Sequence, residues 1–204
     1  MKSRRFVLKA VFMLVLLSIV LYGCGRSPVG PASRASDNTA GYWVADVNSF
    51  VKAYSGGLQL MLIQGTVSPQ GTSAEWQYGY INSTEPDSVY VFHATESGIG
   101  FDSIMYVPIK PGILPQAWLN SDSVMAIAEE NGGSQFRRNN PQCKTTAVIV
   151  KPYASDATTY WYVKFYSNTD ESNFFQLAVN AGNGNILVMH IPGTNEGAPA
   201  STDK

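Results

Sequence analysis

The stretch Trp161-Tyr162-Val163-Lys164-Phe165 places large apolar side chains at every second residue, as a strand with one buried face does. A similar stretch, Trp76-Gln77-Tyr78-Gly79-Tyr80, lies 85 residues earlier. The same spacing of 85 residues aligns Val89-Tyr90 with Phe174-Phe175. The sequence therefore predicts an internal repeat built on paired strands. A chance likeness between two ordinary hairpins is the alternative interpretation.

A helix is predicted ahead of each set of strands. Residues 47–54 place apolar side chains at i, i+3, i+4 and i+7, the spacing of one buried helical face. Residues 122–128 repeat the beginning of that spacing, and the pattern pauses at Gly132-Gly133. We therefore expect an α+β fold of two related helix-plus-antiparallel-sheet units, with the helices packed on one face of the sheet. The sequence leaves open whether the units share one continuous sheet or form two small domains.

The amino terminus has the layout of a secretory signal. A basic start is followed by thirteen uncharged residues, from Ala10 to Tyr22, and then by Gly23-Cys24. This apolar run is shorter than the roughly 18–20 residues that a membrane-spanning helix requires. Leu21 to Cys24 resembles the bacterial lipoprotein cleavage box, which implies removal of residues 1–23 and acylation of Cys24. An ordinary signal peptide with an incidental cysteine is the alternative.

The segments that flank the predicted units are rich in small and polar residues and cannot bury a core. The predicted division of the chain is a signal peptide (1–23), a lipidated flexible tether (24–41), a first α+β unit (42–115), a second α+β unit (116–192) and a disordered tail (193–204).

Composition excludes several classes of function. The chain has 14 basic and 15 acidic residues, and four of the basic ones precede Cys24. The exported part would thus carry 10 basic and 15 acidic residues, so we expect no nucleic-acid partner. With Cys24 acylated, Cys143 is the one remaining cysteine, which excludes an intramolecular disulfide and a thiolate metal site. Arginines 137 and 138 leave a reactive Cys143 thiol as one interpretation and an inert, partly buried thiol as the other.

No catalytic motif is present. The sequence has no Gly-x-Ser-x-Gly elbow, no glycine-rich phosphate loop and no His-Glu-x-x-His. Its two histidines, His93 and His190, each lie alone in a predicted strand. We therefore expect a protein that is not an enzyme, with no catalytic residues, no metal and no cofactor.

Two stretches of the second half resemble a known family. Residues 122–133 resemble the opening helix of PepSY-like domains, and residues 161–165 with 179–187 resemble their closing hairpin. The resemblance implies a small, non-catalytic module of an exported bacterial protein that binds or restrains a peptidase. The predicted plan of two helix-plus-four-strand units is also similar to that of β-lactamase inhibitory proteins, an architectural likeness that does not carry function by itself.

A binding surface is predicted on one side of the sheet. If Trp161, Val163 and Phe165 face the core, the intervening residues of the strand face the other way. Tyrosines give contact area with few rotors to immobilise, so they suit a protein-binding patch. The alternative interpretation is that these tyrosines are ordinary strand residues, half-buried against their neighbours. The predicted binding residues are Tyr162, Lys164, Tyr166, Gln176 and His93.

These features predict an exported, lipid-anchored module of the bacterial cell envelope that binds a protein or peptide, with inhibition of a peptidase as one form of such binding. A non-catalytic structural or assembly accessory of the envelope is the alternative. The predicted partners are the membrane, through the lipid on Cys24, and an unknown envelope protein or peptide. Gly25 after Cys24 favours the outer membrane, by analogy with enteric bacteria.

Overall fold

The computed structural model describes residues 38–107, 112–170 and 172–190. The predicted signal peptide, Cys24, most of the tether and the tail therefore lie outside the described residues. The described elements are the helices α1 (Val44–Tyr54), α2 (Ser121–Ala128) and α3 (Ser134–Asn139), and the strands β1 (Leu58–Thr66), β2 (Glu75–Asn82), β3 (Glu85–Thr95), β4 (Gly98–Tyr106), β5 (Lys144–Val150), β6 (Tyr160–Tyr166), β7 (Phe174–Asn180) and β8 (Ile186–His190).

The eight strands form one antiparallel sheet in the order β4-β3-β2-β1-β5-β6-β7-β8. Its centre is the pairing of β1 with β5, which runs in register from Leu62 opposite Val150 to Thr66 opposite Thr146. The prediction of an α+β fold made of two related helix-plus-sheet units is therefore wrong. The repeat is a likeness between residue patterns 85 residues apart, and such a pattern carries no information on the β1–β5 pairing, which joins strands that are far apart in sequence.

The sheet carries its two helical segments on one face. Val47 and Val51 of α1 belong to the same buried cluster as Val124 and Met125 of α2. The α2 helix begins after its N-cap residue Asn120, whose side chain accepts a hydrogen bond from the amide of Ser121. It is separated from α3 by the kinked segment Glu129–Gly133.

Four aromatic side chains connect the sheet to α1 and to the segments that lead into α1 and α2. All four are buried and each donates its polar hydrogen, which removes the cost of burying an unpaired donor. The indole nitrogens of Trp76 and Trp161 donate to main-chain carbonyls at 2.8 and 2.7 Å. The hydroxyls of Tyr78 and Tyr80 donate to the Ala40 carbonyl and the Asn48 side chain at 2.9 and 2.6 Å. Residues 38–40, within the predicted tether, thus contact the sheet.

One glycine fixes the connection between β1 and β2 against the start of α2. Gly71 has a φ of +78°, and a Cβ added there would lie 2.5 Å from the main-chain oxygen of Ser121. The Ser121 hydroxyl donates to the Gly71 carbonyl at 2.6 Å. This contact therefore requires glycine both for its backbone conformation and for its close approach to the helix.

We expect Gly71→Ala to lower the free energy of unfolding by at least about 2 kcal/mol more than Gly57→Ala, because overpacking adds to the strain of a positive φ. Gly57 is a matched control, since its φ is +89° and a Cβ there meets nothing within 4 Å. Urea denaturation of both variants measures the difference. Equal losses would contradict the close packing of the β1–β2 connection on α2.

Candidate functional site

The face of the sheet opposite the helical segments, the outer face, is apolar in one part. Eight of its residues are buried and form a second core cluster, against which Tyr162 and Met105 pack. The outer face is therefore not uniformly exposed, and an exposed binding surface is confined to the part beyond this cluster. The cluster, which we call the outer apolar cluster, consists of Met61, Leu62, Ile81, Val89, Val91, Val107, Val148 and Val150.

Polar residues cross the outer face in a first row over strands β1 to β4. Gln64 lies opposite Gln77, and Gln77 lies opposite His93. The Gln64 amide nitrogen donates to the Gln77 side-chain oxygen at 2.8 Å. The row ends at Asp102, which lies in the bulge of β4 beside His93.

A second row continues across the remaining strands. Thr66 is two residues from Gln64 on β1, so the two rows are adjacent there. From Thr66 the register leads through Thr146, Lys164 and Gln176 to His190 on β8. Together the rows form a continuous polar band of nine residues: Gln64, Thr66, Gln77, His93, Asp102, Thr146, Lys164, Gln176 and His190.

The structure brings together four of the five predicted binding residues of the outer face. Lys164 lies opposite Gln176, and its ammonium nitrogen is 4.4 Å from the centre of the Phe174 ring and 5.8 Å from that of Tyr166. Such cation–π contacts orient a lysine that would otherwise sample many rotamers. We define the tyrosine patch as Tyr160, Tyr162, Lys164, Tyr166, Phe174 and Gln176, all of them partly exposed.

Tyr162 forms the boundary between the tyrosine patch and the outer apolar cluster. It packs against that cluster, and its ring centre is 6.1 Å from that of Tyr160. Burial, with smaller contributions from Tyr160 and Asp156, raises the pKa of Tyr162 to about 12. Its hydroxyl therefore stays protonated over the physiological range and presents a hydrogen-bond donor at the edge of the patch.

His93, the fifth predicted residue, lies on the same face but in the other half of the sheet. Four strand spacings separate β3 from β6, which corresponds to about 19 Å. His93 and Lys164 therefore do not form one compact site, although both belong to the polar band.

His93 is instead held by Asp102. Its Nδ1 is 2.5 Å from a carboxylate oxygen of Asp102, and the imidazole is buried while the carboxylate is partly exposed. The ring lies against the backbone of β4, because a Cβ on Gly100 would be 2.6 Å from its Cε1. The hydrogen bond to Asp102 raises the pKa of His93, burial opposes this, and Glu75 adds to the rise. The pair therefore favours an imidazolium bound to a carboxylate.

Cys143 is a free thiol that is partly buried. Burial raises the pKa of the Cys143 thiol, and the nearby Arg137 only partly offsets that effect. Arg137 is itself engaged by Glu129 and by the Thr145 hydroxyl. The thiol therefore remains protonated at neutral pH, which favours the interpretation of Cys143 as an inert residue.

The described residues contain neither a group of candidate metal ligands nor a candidate membrane-spanning helix. No three His, Cys, Asp or Glu side chains in residues 38–107, 112–170 and 172–190 are grouped so that they could hold a metal ion. Within the same ranges no helix is both long and apolar enough to cross a membrane.

Comparisons of this chain with family models, with curated proteins and with solved structures gave no match. They consequently bear neither on the resemblance to PepSY-like domains nor on the likeness to β-lactamase inhibitory proteins.

Gln64, Asp102 and Thr146 were missed by the sequence analysis although they belong to the polar band. Gln64 joins the row of His93 through its pairing opposite Gln77, and Thr146 lies directly opposite Lys164. The β1–β5 pairing, which no local pattern indicates, then places Thr66 opposite Thr146 and connects the two rows. Asp102 faces His93 because the register of β4 shifts between its partners Val91 and Phe92. The Gly98 and Gly100 positions in β4 were a usable signal, since glycine in a strand often marks a close approach.

The His93–Asp102 pair predicts a pH-dependent contribution to stability. Because the folded pKa of His93 is raised, the contribution is complete below the unfolded value of about 6.5 and is lost as the pH rises through the folded pKa. We expect Asp102→Asn to lower the free energy of unfolding by about 1–2 kcal/mol at pH 6 and by less at pH 8.

Urea denaturation of the native protein and Asp102→Asn between pH 5.5 and 8.5 measures this difference. His190 is present in both proteins, so any contribution it makes cancels in the difference between their free energies of unfolding. Asp87→Asn, at an exposed site on β3, is the control for the loss of one negative charge. A pH-independent cost of Asp102→Asn would contradict the pairing with His93.

Proposed function

We propose that this chain is an exported, lipid-anchored module of the bacterial cell envelope that binds a protein or peptide through the tyrosine patch. The observation that carries the proposal is the arrangement of Tyr160, Tyr162 and Tyr166 around Lys164 on strand β6. It combines aromatic area, which is enriched at the centre of protein interfaces, with a lysine and an amide on the same face that can form polar contacts.

The patch is ordered before any partner binds. Strand β6 pairs along its whole length with β5 and β7, and its alternate residues Trp161, Val163 and Phe165 are fully buried. Side chains on such a strand lose little conformational entropy on binding, because the backbone and the neighbouring rings already hold them. This rigidity supports a role in recognition.

The patch also has a natural limit. On one side Tyr162 packs against the outer apolar cluster, which is buried. On another side the patch meets the polar band through Lys164 and Gln176. Aromatic anchors beside a polar strip match the usual anatomy of an interface, in which a hydrophobic centre is surrounded by a polar rim. The resemblance to PepSY-like domains makes a peptidase the first partner to test.

The proposed anchor is the lipid on Cys24. Asn38, the first described residue, accepts a hydrogen bond from Trp76 of the sheet. Thirteen residues, 25–37, lie between Asn38 and the proposed acylation site. Thirteen residues can extend over at most about 45 Å. Confinement to this distance from the membrane raises the effective concentration of the patch toward partners on the same membrane.

We expect Cys24→Ser to move most of the protein from the membrane fraction to the soluble fraction, because the acyl chains supply the binding energy for the membrane. Fractionation of cells and mass measurement of the mature amino terminus test this. Cys143→Ser is the matched control and should stay with the membrane. Membrane retention of Cys24→Ser equal to that of the control would contradict lipid anchoring.

We expect the acylated full-length protein to recover one stoichiometric protein from detergent-solubilised envelope, and the double variant Tyr162→Ala with Tyr166→Ala to lose it at least tenfold. Loss of two central tyrosines removes apolar contact area that the binding depends on. Quantitative mass spectrometry of the recovered proteins is the readout. Tyr106→Ala is the control, because Tyr106 is 73% exposed but lies at the β4 edge, at the opposite end of the sheet.

Because Tyr162 is partly buried, its substitution could lower the stability of the fold as well as the affinity for the partner. A second variant distinguishes these two effects. Lys164→Glu with Tyr166→Ala leaves Tyr162 and the outer apolar cluster intact and should lose the partner as well. Equal recovery of the partner by all variants would contradict the tyrosine patch. Recovery of the protein itself or of cell-wall material alone would favour the structural accessory.

A further inference from the structure

A cleft lies where strands β1 and β3 end, and it shares no residue with the tyrosine patch. It has a volume of about 630 Å³ and is bounded by the β1–β2 connection, by the β3–β4 turn and by Asn38. Its volume lies within the range of about 300–1,000 Å³ that is common for small-molecule sites. Six of its ten lining residues are serine or threonine, whereas most small-molecule sites are lined mainly by apolar groups. The cleft therefore offers hydroxyl groups together with the methyl and methylene carbons of the same side chains, which suits a ligand with both hydroxyl groups and C–H surface.

The charged residues that line the cleft limit the chemical classes of ligand that it could bind. None of the ten lining residues is Lys, Arg or His, and Glu96 supplies one negative charge. A phosphate, a carboxylate or another anion would find no cationic partner there. Only Val67 and Ala74 are apolar, so an acyl chain would gain little by burial. A hydroxylated ligand and an amine both fit this charge, and the abundance of hydroxyl groups in the lining favours the hydroxylated one.

The hydrogen-bonding groups of the cleft favour a ligand that donates. Asn38 donates from Nδ2 to Glu96 Oε1 at 2.8 Å, which orients the carboxylate at the cleft. The Glu96 carboxylate has further capacity to accept. The hydroxyls of Ser97 and Thr95, 2.8 Å apart, can each donate or accept. This mixture of a carboxylate, an amide and hydroxyls matches the vicinal hydroxyl groups of a sugar ring.

The walls of the cleft are already fixed by the fold. The Ser68 hydroxyl and the Thr72 hydroxyl are 2.8 Å apart, and the Ser68 amide donates to the Thr72 carbonyl at the same distance. The Ser73 amide donates to the Asn38 carbonyl at 2.9 Å, so the entering chain is held against the β1–β2 connection. Pre-formed walls reduce the entropic cost of binding a small ligand.

We propose that this cleft binds a sugar residue, either of a soluble oligosaccharide or of a glycan polymer. The carboxylate of Glu96 accepts hydrogen bonds from ring hydroxyls, and the serine and threonine hydroxyls of the β1–β2 connection and the β3–β4 turn complete the contacts. The site is separate from the tyrosine patch and does not rest on the proposed protein-binding function.

The test uses the full-length chain, labelled with ¹⁵N and purified in a detergent without a sugar head group. Titration with chitobiose and with maltose should shift the amide resonances of residues 66–74 and 95–97 in a saturable way for at least one of them. Glu96→Gln should weaken that binding about tenfold, because it removes the charged acceptor. Glu85→Gln, at the opposite end of the same hairpin, is the matched control and should leave it unchanged.

Two further measurements complete the test. Ser97→Ala, at an exposed position, should also weaken the saturable shifts. Sedimentation with purified insoluble cell-wall glycan, with and without Glu96→Gln, distinguishes a polymer from a soluble sugar as the source. The proposal would be overturned if an amine such as spermidine, but neither disaccharide, caused saturable shifts of these amide resonances. It would also be overturned if no saturable shift occurred at residues 66–74 and 95–97.

Discussion

The hydrogen-bonded pairing of β1 with β5 is the interaction on which the rest of the structure depends. It connects two sets of four strands, each of which is antiparallel and locally connected, into one sheet. Without it each set would present an unpaired central edge rich in apolar side chains, such as Ile63 and Ile149, both fully buried in the sheet. Such edges promote association with other chains. With it, Gln64 and Thr66 lie at the centre of the sheet and the polar band is continuous.

The two faces of this sheet have different roles because their side chains differ in kind. The helix-side face carries the largest buried rings, among them Trp76, Trp161 and Phe165, whose burial supplies much of the free energy of folding. The outer face carries smaller buried aliphatic residues in one part and the polar band with the tyrosine patch in the other. A rigid sheet thus offers a surface whose shape is set by the core on its opposite side.

Strand alternation was predictable from the sequence, and so was the break of the second helix. Trp161, Val163 and Phe165 are fully buried as the alternation predicted, and the helix is interrupted where Gly132 has a φ of +124°. The single sheet was not predicted, because pairing between distant strands leaves no periodic signal in either of them. Tyr162, Lys164, Tyr166 and Gln176 are close neighbours through the local pairing of β6 with β7. His93 lies in the other half of the sheet and is held by Asp102 through a bulge.

The central claim is that the eight strands form a single sheet joined at β1 and β5. Native-state hydrogen exchange, measured as a function of denaturant concentration, tests this claim most directly. The account predicts that the slowest amides of β1 and β2 and those of β5 and β6 share one free energy of opening, equal to that of global unfolding. It also predicts that this equality persists at low denaturant. A lower, separate free energy for the amides of β5 to β8 would show that the second half opens independently, and would contradict one cooperative sheet.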